Sequence, residues 1–258
     1  MDDKQYFALE ALSASGAKLL RKSPLHYKAD RLKSRQPTPA MVFGTVVHRL
    51  ALEPERPAFV VKRLNWASKE GKLERERLEA TGLPILSEAD GDRAMAIRDA
   101  LWSDARIAEM LEAATKEQAM LWQQHGVNCK AKADAIGDGI IIDLKTTLDA
   151  GPQEFARSIA AFGYHRQAAW YLDGYQAIKG ERASDFIFIA VESNAPHAVA
   201  LYRLDAASIA AGRLEMERAA AVYRECLATG EWPGYQRDLT TLSLPQWAMP
   251  ADEWGDAA

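Results

Sequence analysis

The chain has 258 residues, of which 48% are apolar and 26% charged, and its formal net charge is −4. This composition excludes a disordered or fibrous chain, and no apolar run reaches the roughly 18–20 residues of a membrane-spanning helix. Two cysteines are too few for a disulfide framework, a four-cysteine zinc site or a cysteine-bound iron–sulfur cluster. The first residues are polar, unlike a secretory signal, so we expect a cytoplasmic protein.

The N-terminal part, to about residue 115, is predicted to be mainly helical. Ser and Asp residues that can cap helices precede stretches with apolar residues at helical spacing. The predicted helices cover residues 13–33 with a break at Ser23-Pro24, residues 41–52, a short segment after a charged loop within 62–82, a longer segment capped by Ser87, and residues 104–114.

The pattern changes near residue 117, where strands are predicted. The strands cover residues 119–122, 129–136, 140–146, 186–192 and 198–204, and helices cover 152–178 and 205–229. This order predicts an α/β fold with a mixed central sheet flanked by helices. We expect one domain over residues 1–258, with a helical part (1–115), an α/β core (116–230) and an irregular tail (231–258).

The second and third strands form the most informative stretch. If Asp138-Gly139 is a two-residue type I′ turn, Asp134 lies directly across from Asp143, with Cβ atoms about 4.5–5.5 Å apart. Lys145 then shares their face, because strand side chains repeat every two residues. A three-residue turn would shift the register by one and separate the two acids, unless a bulge restored them.

Two facing carboxylates repel each other, and a divalent cation would remove that repulsion. Mg²⁺ prefers such oxygen ligands, and a neighbouring lysine can stabilise charge that develops on a phosphate. The alternative is a pair of ordinary surface ion pairs with Lys132 and Lys145. The apolar run 140–142 argues against it, because that run is typical of a buried strand, where charges are costly without a function.

These residues resemble a known family. Asp134 followed by Asp143-Leu144-Lys145 resembles the PD-(D/E)XK nuclease signature. Gly44 to His48 is similar to the G-x-x-x-H helix motif of its RecB-like branch, and Gln167 to Tyr171 is similar to the Q-x-x-x-Y helix of that branch. Taken together, these motifs resemble the exonuclease domains of the RecE type, and the likeness extends over nearly the whole chain.

The resemblance implies a restriction-endonuclease-like core and a role for each matching residue. It makes Asp134, Asp143 and Lys145 catalytic, and it places Gln167 and Tyr171 beside the site, where they would position the lysine or the DNA backbone. The implied metal ligands are His48, Asp134, Asp143 and the backbone carbonyl of Leu144. Lys132 stands where we expect an arginine, and a lysine there loses the bidentate grip on phosphate.

The activity implied by the resemblance is Mg²⁺-dependent 5′→3′ digestion of linear double-stranded DNA. An imidazole ligand makes Mn²⁺ a further expected activator. The implied partners are a single-strand annealing protein, for recombination by annealing, and copies of the same chain in a homo-oligomeric ring; no membrane is expected.

Net acidity argues mildly against a nucleic-acid partner, but the cations are unevenly placed. Lys18, Arg21 and Lys22 begin a cationic run that ends at Arg35, which is either a solvated helix face or a track for DNA. We also count Lys132, Gln167 and Tyr171 as candidate DNA contacts.

Other functions stay open at this point. They are an endonuclease of the same superfamily, an iron–sulfur nuclease of the CRISPR-associated kind, which normally uses four cysteines, and a non-catalytic DNA-binding scaffold. The sequence also leaves open the roles of Glu53 and of the tail aromatics, which are Trp232, Tyr235, Trp247 and Trp254.

Overall fold

The computed structural model describes residues 1, 3–33, 37–245 and 248–249. These residues form ten helices and seven strands, in the following order along the chain: α1 Asp3–Ala8, α2 Ala14–Lys22, α3 Pro24–Arg31, α4 Pro39–Leu52, β1 Val60–Lys62, α5 Lys69–Glu79, β2 Ile85–Ser87, α6 Glu88–Ser103, α7 Ala105–Ala113, β3 Thr115–Gln124, β4 Val127–Gly137, β5 Ile140–Thr147, α8 Pro152–Phe162, α9 Tyr164–Lys179, β6 Asp185–Glu192, β7 Val199–Tyr202 and α10 Ala206–Thr229.

The main sheet has five strands in the order β3-β4-β5-β6-β7. Only β5 and β6 run parallel, and the other neighbours are antiparallel, so the predicted mixed sheet is confirmed. Consecutive residues of β5 belong to different hydrophobic clusters: the cluster of Ile141 includes residues of α2, α9 and α10, and the cluster of Ile142 includes residues of α4, α6 and α7. Helices therefore cover both faces of the sheet, which makes β5 a buried central strand.

The hairpin between β4 and β5 has the predicted register. Asp138 and Gly139 both have positive φ, at 49° and 74°, as a type I′ turn requires. Gly137 pairs with Ile140, and the ladder continues to the pair of Ala135 and Ile142, where it ends. The next residues along the two strands are the two aspartates of the predicted site.

The prediction of one helix over residues 152–178 is wrong in one respect, because the structure has two helices there, α8 and α9. The division falls at Gly163, which has φ 78° and acts as the C-cap of α8. Any side chain here would be strained and would overlap the guanidinium group of Arg166, which packs against the glycine. The apolar spacing continues through this point and does not reveal the break.

Three short elements were not predicted. They are α1 and the parallel pair of β1 and β2, in which Val61 pairs with Leu86. Each of these strands has three residues, too few for a periodic pattern to be recognised. No helix in the described part of the chain is both long and apolar enough to cross a bilayer.

Candidate active site

Asp143, on the central strand β5, has a side chain that is only 1% exposed. Its Oδ2 forms an ion pair with the ammonium group of Lys145, two residues along the same strand face. Its Oδ1 accepts a hydrogen bond of 2.5 Å from Nε2 of Gln167 on α9. Among the described residues Oδ2 has no hydrogen bond of regular geometry, so Lys145 compensates its charge mainly as a counter-ion.

Asp134 lies on β4 where the ladder with β5 ends. Its Oδ2 accepts a hydrogen bond of 2.8 Å from the backbone N–H of Leu144 and lies 3.5 Å from Nδ1 of His48 on α4. The side chains of Asp134 and His48 are 16% and 29% exposed, so the pair is partly open to solvent. The structure thus brings α4, β4 and β5 together around the predicted residues.

Burial and neighbouring charges both change the pKa values of Asp134 and Lys145. Burial is the main cause that raises the pKa of Asp134 to about 6, and Asp143 adds to it, while His48 and Lys145 oppose it. Burial acts to lower the pKa of Lys145, but the two aspartates outweigh it, so this pKa is raised above its usual value. Lys145 is therefore a cation near neutral pH.

Tyr171 lies next to this cluster, on the same helix as Gln167. Burial raises the pKa of its phenol well above the usual value, with smaller contributions from the nearby aspartates, so Tyr171 stays neutral. Its ring meets the ring of Phe186 edge-on at 6.1 Å.

Tyr164 is a site residue that the sequence analysis did not single out. Nζ of Lys145 lies 4.7 Å from the centre of its ring, a distance typical of a cation–π contact. The signal was present, because Tyr164 precedes Gln167 by three residues on α9, and residues at that spacing lie on one helix face.

The predicted metal ligands lie close together, but their side chains do not yet converge on one point. As the side chains stand, no three His, Cys, Asp or Glu residues of the described part converge closely enough to hold one. His48 and Asp134 are already in contact, and Asp143 keeps a buried oxygen without a regular hydrogen bond. Carboxylates with one imidazole suit Mn²⁺ and Mg²⁺. The residues therefore fit a divalent cation if Asp143 exchanges its contact with Lys145 or Gln167 for the metal.

The predicted DNA contacts are differently placed. Arg21 forms an ion pair of 2.7 Å with Glu215, which also binds Arg166 at 2.7 Å, and Lys132 pairs with Glu117. Lys22 is exposed at the end of α2, and Arg35 lies outside the described residues. Nζ of Lys18 lies 5.5 Å from the ring centre of Phe162, at the end of α8.

The residues whose roles were left open have local partners. Glu53 forms an ion pair of 2.6 Å with Arg56 just after α4. Trp232 stacks on Tyr27 with ring centres 5.6 Å apart, and Tyr235 lies 5.4 Å from the ring of His26, so this part of the tail packs on α3. Trp247 and Trp254 lie outside the described residues.

Comparisons with known proteins agree with this fold. The sequence matches, over residues 13–241, a family described as a PDDEXK-like domain of unknown function (DUF3799). A putative exonuclease from Eubacterium rectale superposes with a TM-score of 0.66 at 16% identity, covering 95% of each chain.

Two further solved structures superpose less closely. A phage-related exonuclease from Haemophilus somnus 129PT has a TM-score of 0.38 at 13% identity, covering 86% of this chain and 96% of its own. LHK-Exo in complex with dAMP has a TM-score of 0.35 at 16% identity, covering 88% and 93%. No curated protein matches the sequence.

Proposed function

The chain belongs to the family described as a PDDEXK-like domain of unknown function, and from this premise we propose that it is a metal-dependent deoxyribonuclease. The proposed substrate is linear double-stranded DNA, degraded from its ends in the 5′→3′ direction. One observation carries the proposal: Asp134, Asp143, Lys145 and Gln167 converge where β4 and β5 separate.

The proposed reaction is hydrolysis of a backbone phosphodiester. A water molecule attacks the phosphorus atom, and the bond to the leaving oxygen breaks. The ammonium group of Lys145 would stabilise the negative charge that develops on the phosphate, since its raised pKa keeps it protonated. Gln167 would hold the carboxylate of Asp143 in place through its hydrogen bond.

A divalent cation belongs to the proposal. His48, Asp134, Asp143 and the carbonyl oxygen of Leu144 would hold it. When bound, the cation supplies a water molecule of increased acidity and offsets charge on the phosphate. We propose Mg²⁺ as the natural ion and Mn²⁺ as a substitute, because imidazole nitrogen is a better ligand for Mn²⁺.

Digestion of one strand from each end would leave single-stranded DNA. We propose that a single-strand annealing protein receives it for recombination, and that the nuclease encloses its substrate as a homo-oligomeric ring. A cytoplasmic location fits Cys129 and Cys226, which are buried and not joined in a disulfide.

A timed digestion tests the activity. Linear duplex DNA labelled at the 5′ end of one strand or at the 3′ end is incubated with the protein and Mg²⁺ or Mn²⁺, and metal is omitted in the control. The proposal expects metal-dependent release of nucleotides, with the 5′ label released first.

Covalently closed duplex DNA separates the alternatives. An exonuclease leaves it intact, whereas cleavage of the closed circle would identify an endonuclease and refute the proposed direction. If linear DNA releases no nucleotides with either metal, the protein is a non-catalytic DNA-binding scaffold. Asp143→Asn, which removes the charge that Lys145 faces, serves as the inactive control.

A further inference from the structure

An exposed aromatic ring lies next to the candidate active site. Phe162, the last residue of α8, is 55% exposed. Single exposed apolar residues are common on proteins, but this ring stacks on that of Tyr164, with centres 5.7 Å apart and an angle of 28° between the planes. Tyr164 in turn lies under the ammonium group of Lys145. The exposed ring is therefore one aromatic contact away from the proposed catalytic lysine.

The stack is firmly supported from below. The ring of Tyr164 contacts the rings of Phe155 and Phe188, at 6.3 Å and 5.9 Å between centres. Both phenylalanines are almost fully buried, at 1% and 0% exposed. Phe162 thus rests on an aromatic cluster that continues into the core. Because these contacts already restrict its side chain, little conformational entropy would be lost on binding a ligand.

Cations stand at both ends of the stack. Lys145 contacts Tyr164, and Nζ of Lys18 lies 5.5 Å from the ring centre of Phe162. Each ring of the stack thus has an ammonium group beside it, and Lys18 is exposed, so its side chain can leave the Phe162 ring to meet a phosphate. This is the chemistry of a single-strand binding surface, where bases stack on aromatic side chains and phosphates meet lysines.

Space for a base is present at this place. Phe162 and Tyr164 line a cavity of about 1030 Å³, which also reaches Thr146, the neighbour of Lys145 on β5. Asp149 and Glu154 also line it and would repel a phosphate inside it. Lys145 and Lys18 do not line this cavity, but each contacts one of the two aromatic rings that do, so a base in the cavity would lie across a ring from an ammonium group.

We propose that Phe162 stacks on a nucleobase of the strand being cut, next to the phosphodiester that Lys145 faces. This inference rests on the proposed nuclease function and adds that the protein holds an unpaired nucleotide at its site. Phe162 is thus a specificity-determining residue for a single-stranded end, with Tyr164 as the ring that supports it.

The test combines variants of Phe162 with DNA that lacks a base. Phe162→Ala should raise KM for DNA about tenfold, with a smaller effect on kcat, because stacking contributes to binding. Phe162→Trp should restore KM, and Phe162→Leu should not, since leucine is apolar but cannot stack. Leu227→Ala on α10, 54% exposed, removes a similarly exposed apolar side chain that does not line the cavity and should leave KM unchanged.

Abasic residues at the 5′ end should raise KM for the wild type about as much as Phe162→Ala does, and the two changes together should add no further increase. Binding of the same DNAs, measured by fluorescence anisotropy in EDTA, should follow the same pattern without any cleavage. An unchanged KM for Phe162→Ala would overturn the inference, and so would increases in KM from the variant and the abasic DNA that multiply when combined. A Phe162→Ala variant that differs from the wild type only in its oligomeric state would overturn it as well. A wild type that binds DNA with this pattern but releases no nucleotides would instead refute the nuclease function.

Discussion

Replacing Asp134 by asparagine should stabilise the metal-free protein at neutral pH while abolishing cleavage. The carboxyl group of Asp134, whose side chain is 16% exposed, faces His48 from α4 and both Asp143 and Lys145 from β5. Asparagine is nearly the same shape, and its carbonyl oxygen can still accept the hydrogen bond from the N–H of Leu144. The variant therefore removes a buried charge and leaves the local backbone supported.

The size of the effect follows from the pKa of Asp134, which burial chiefly raises from 3.8 to about 6. Because the folded pKa is the higher one, the folded protein binds this proton more tightly than the unfolded chain does. The resulting stability is fully present below about pH 4 and is lost as the pH rises to about 6. A difference of this size between the folded and the unfolded pKa changes the free energy of unfolding by about 3 kcal/mol.

Urea unfolding in EDTA at several pH values measures this difference. The free energy of unfolding of Asp134→Asn should match that of the wild type near pH 4 and exceed it by up to about 3 kcal/mol at pH 7. Comparing the two proteins at each pH cancels the titration of the groups that do not interact with Asp134. Saturating Mn²⁺ should then stabilise the wild type more than the variant. A difference that does not change with pH would refute the reasoning.

Three further variants test the contacts around the site. Lys145→Met keeps an unbranched side chain one atom shorter but loses its charge, and should slow cleavage at least about 100-fold; a near-normal rate in the folded variant would contradict its role. Gln167→Ala removes the donor to Asp143 and should lower the free energy of unfolding by about 2 kcal/mol in urea titrations; no change would mean that this bond contributes nothing. Arg166→Ala removes the buried partner of Glu215, which is itself 28% exposed and stays paired with Arg21, and should cost about 1–3 kcal/mol by the same measurement. Its matched control is Arg21→Ala, which removes an exposed partner of the same glutamate and should cost less than about 1 kcal/mol; equal losses would contradict the argument from burial.

Local signals were sufficient to predict the hairpin. The positive φ values of Asp138 and Gly139 belong to a turn that this dipeptide favours, and the turn fixes the register up to the two aspartates. The placement of His48 and Gln167 beside those aspartates came only from the resemblance to a family. Helix-to-strand packing brings them there, and no periodicity within the sequence reports it.

The contacts of Asp143 could not be predicted in this way. The sequence suggested two acids that face each other across a metal, whereas the structure engages Asp143 with Lys145 and Gln167. A buried carboxylate needs hydrogen bonds or counter-ions, and side chains from two elements supply them here. Whether such partners exist depends on how α9 packs on the sheet.

The break at Gly163 has a consequence for Phe162 and Tyr164. In an uninterrupted helix, residues two apart point in nearly opposite directions and cannot touch. Here the left-handed residue turns the chain between them, so one ring comes to lie flat on the other. A single backbone dihedral angle therefore lets two rings only two positions apart form a stacked pair.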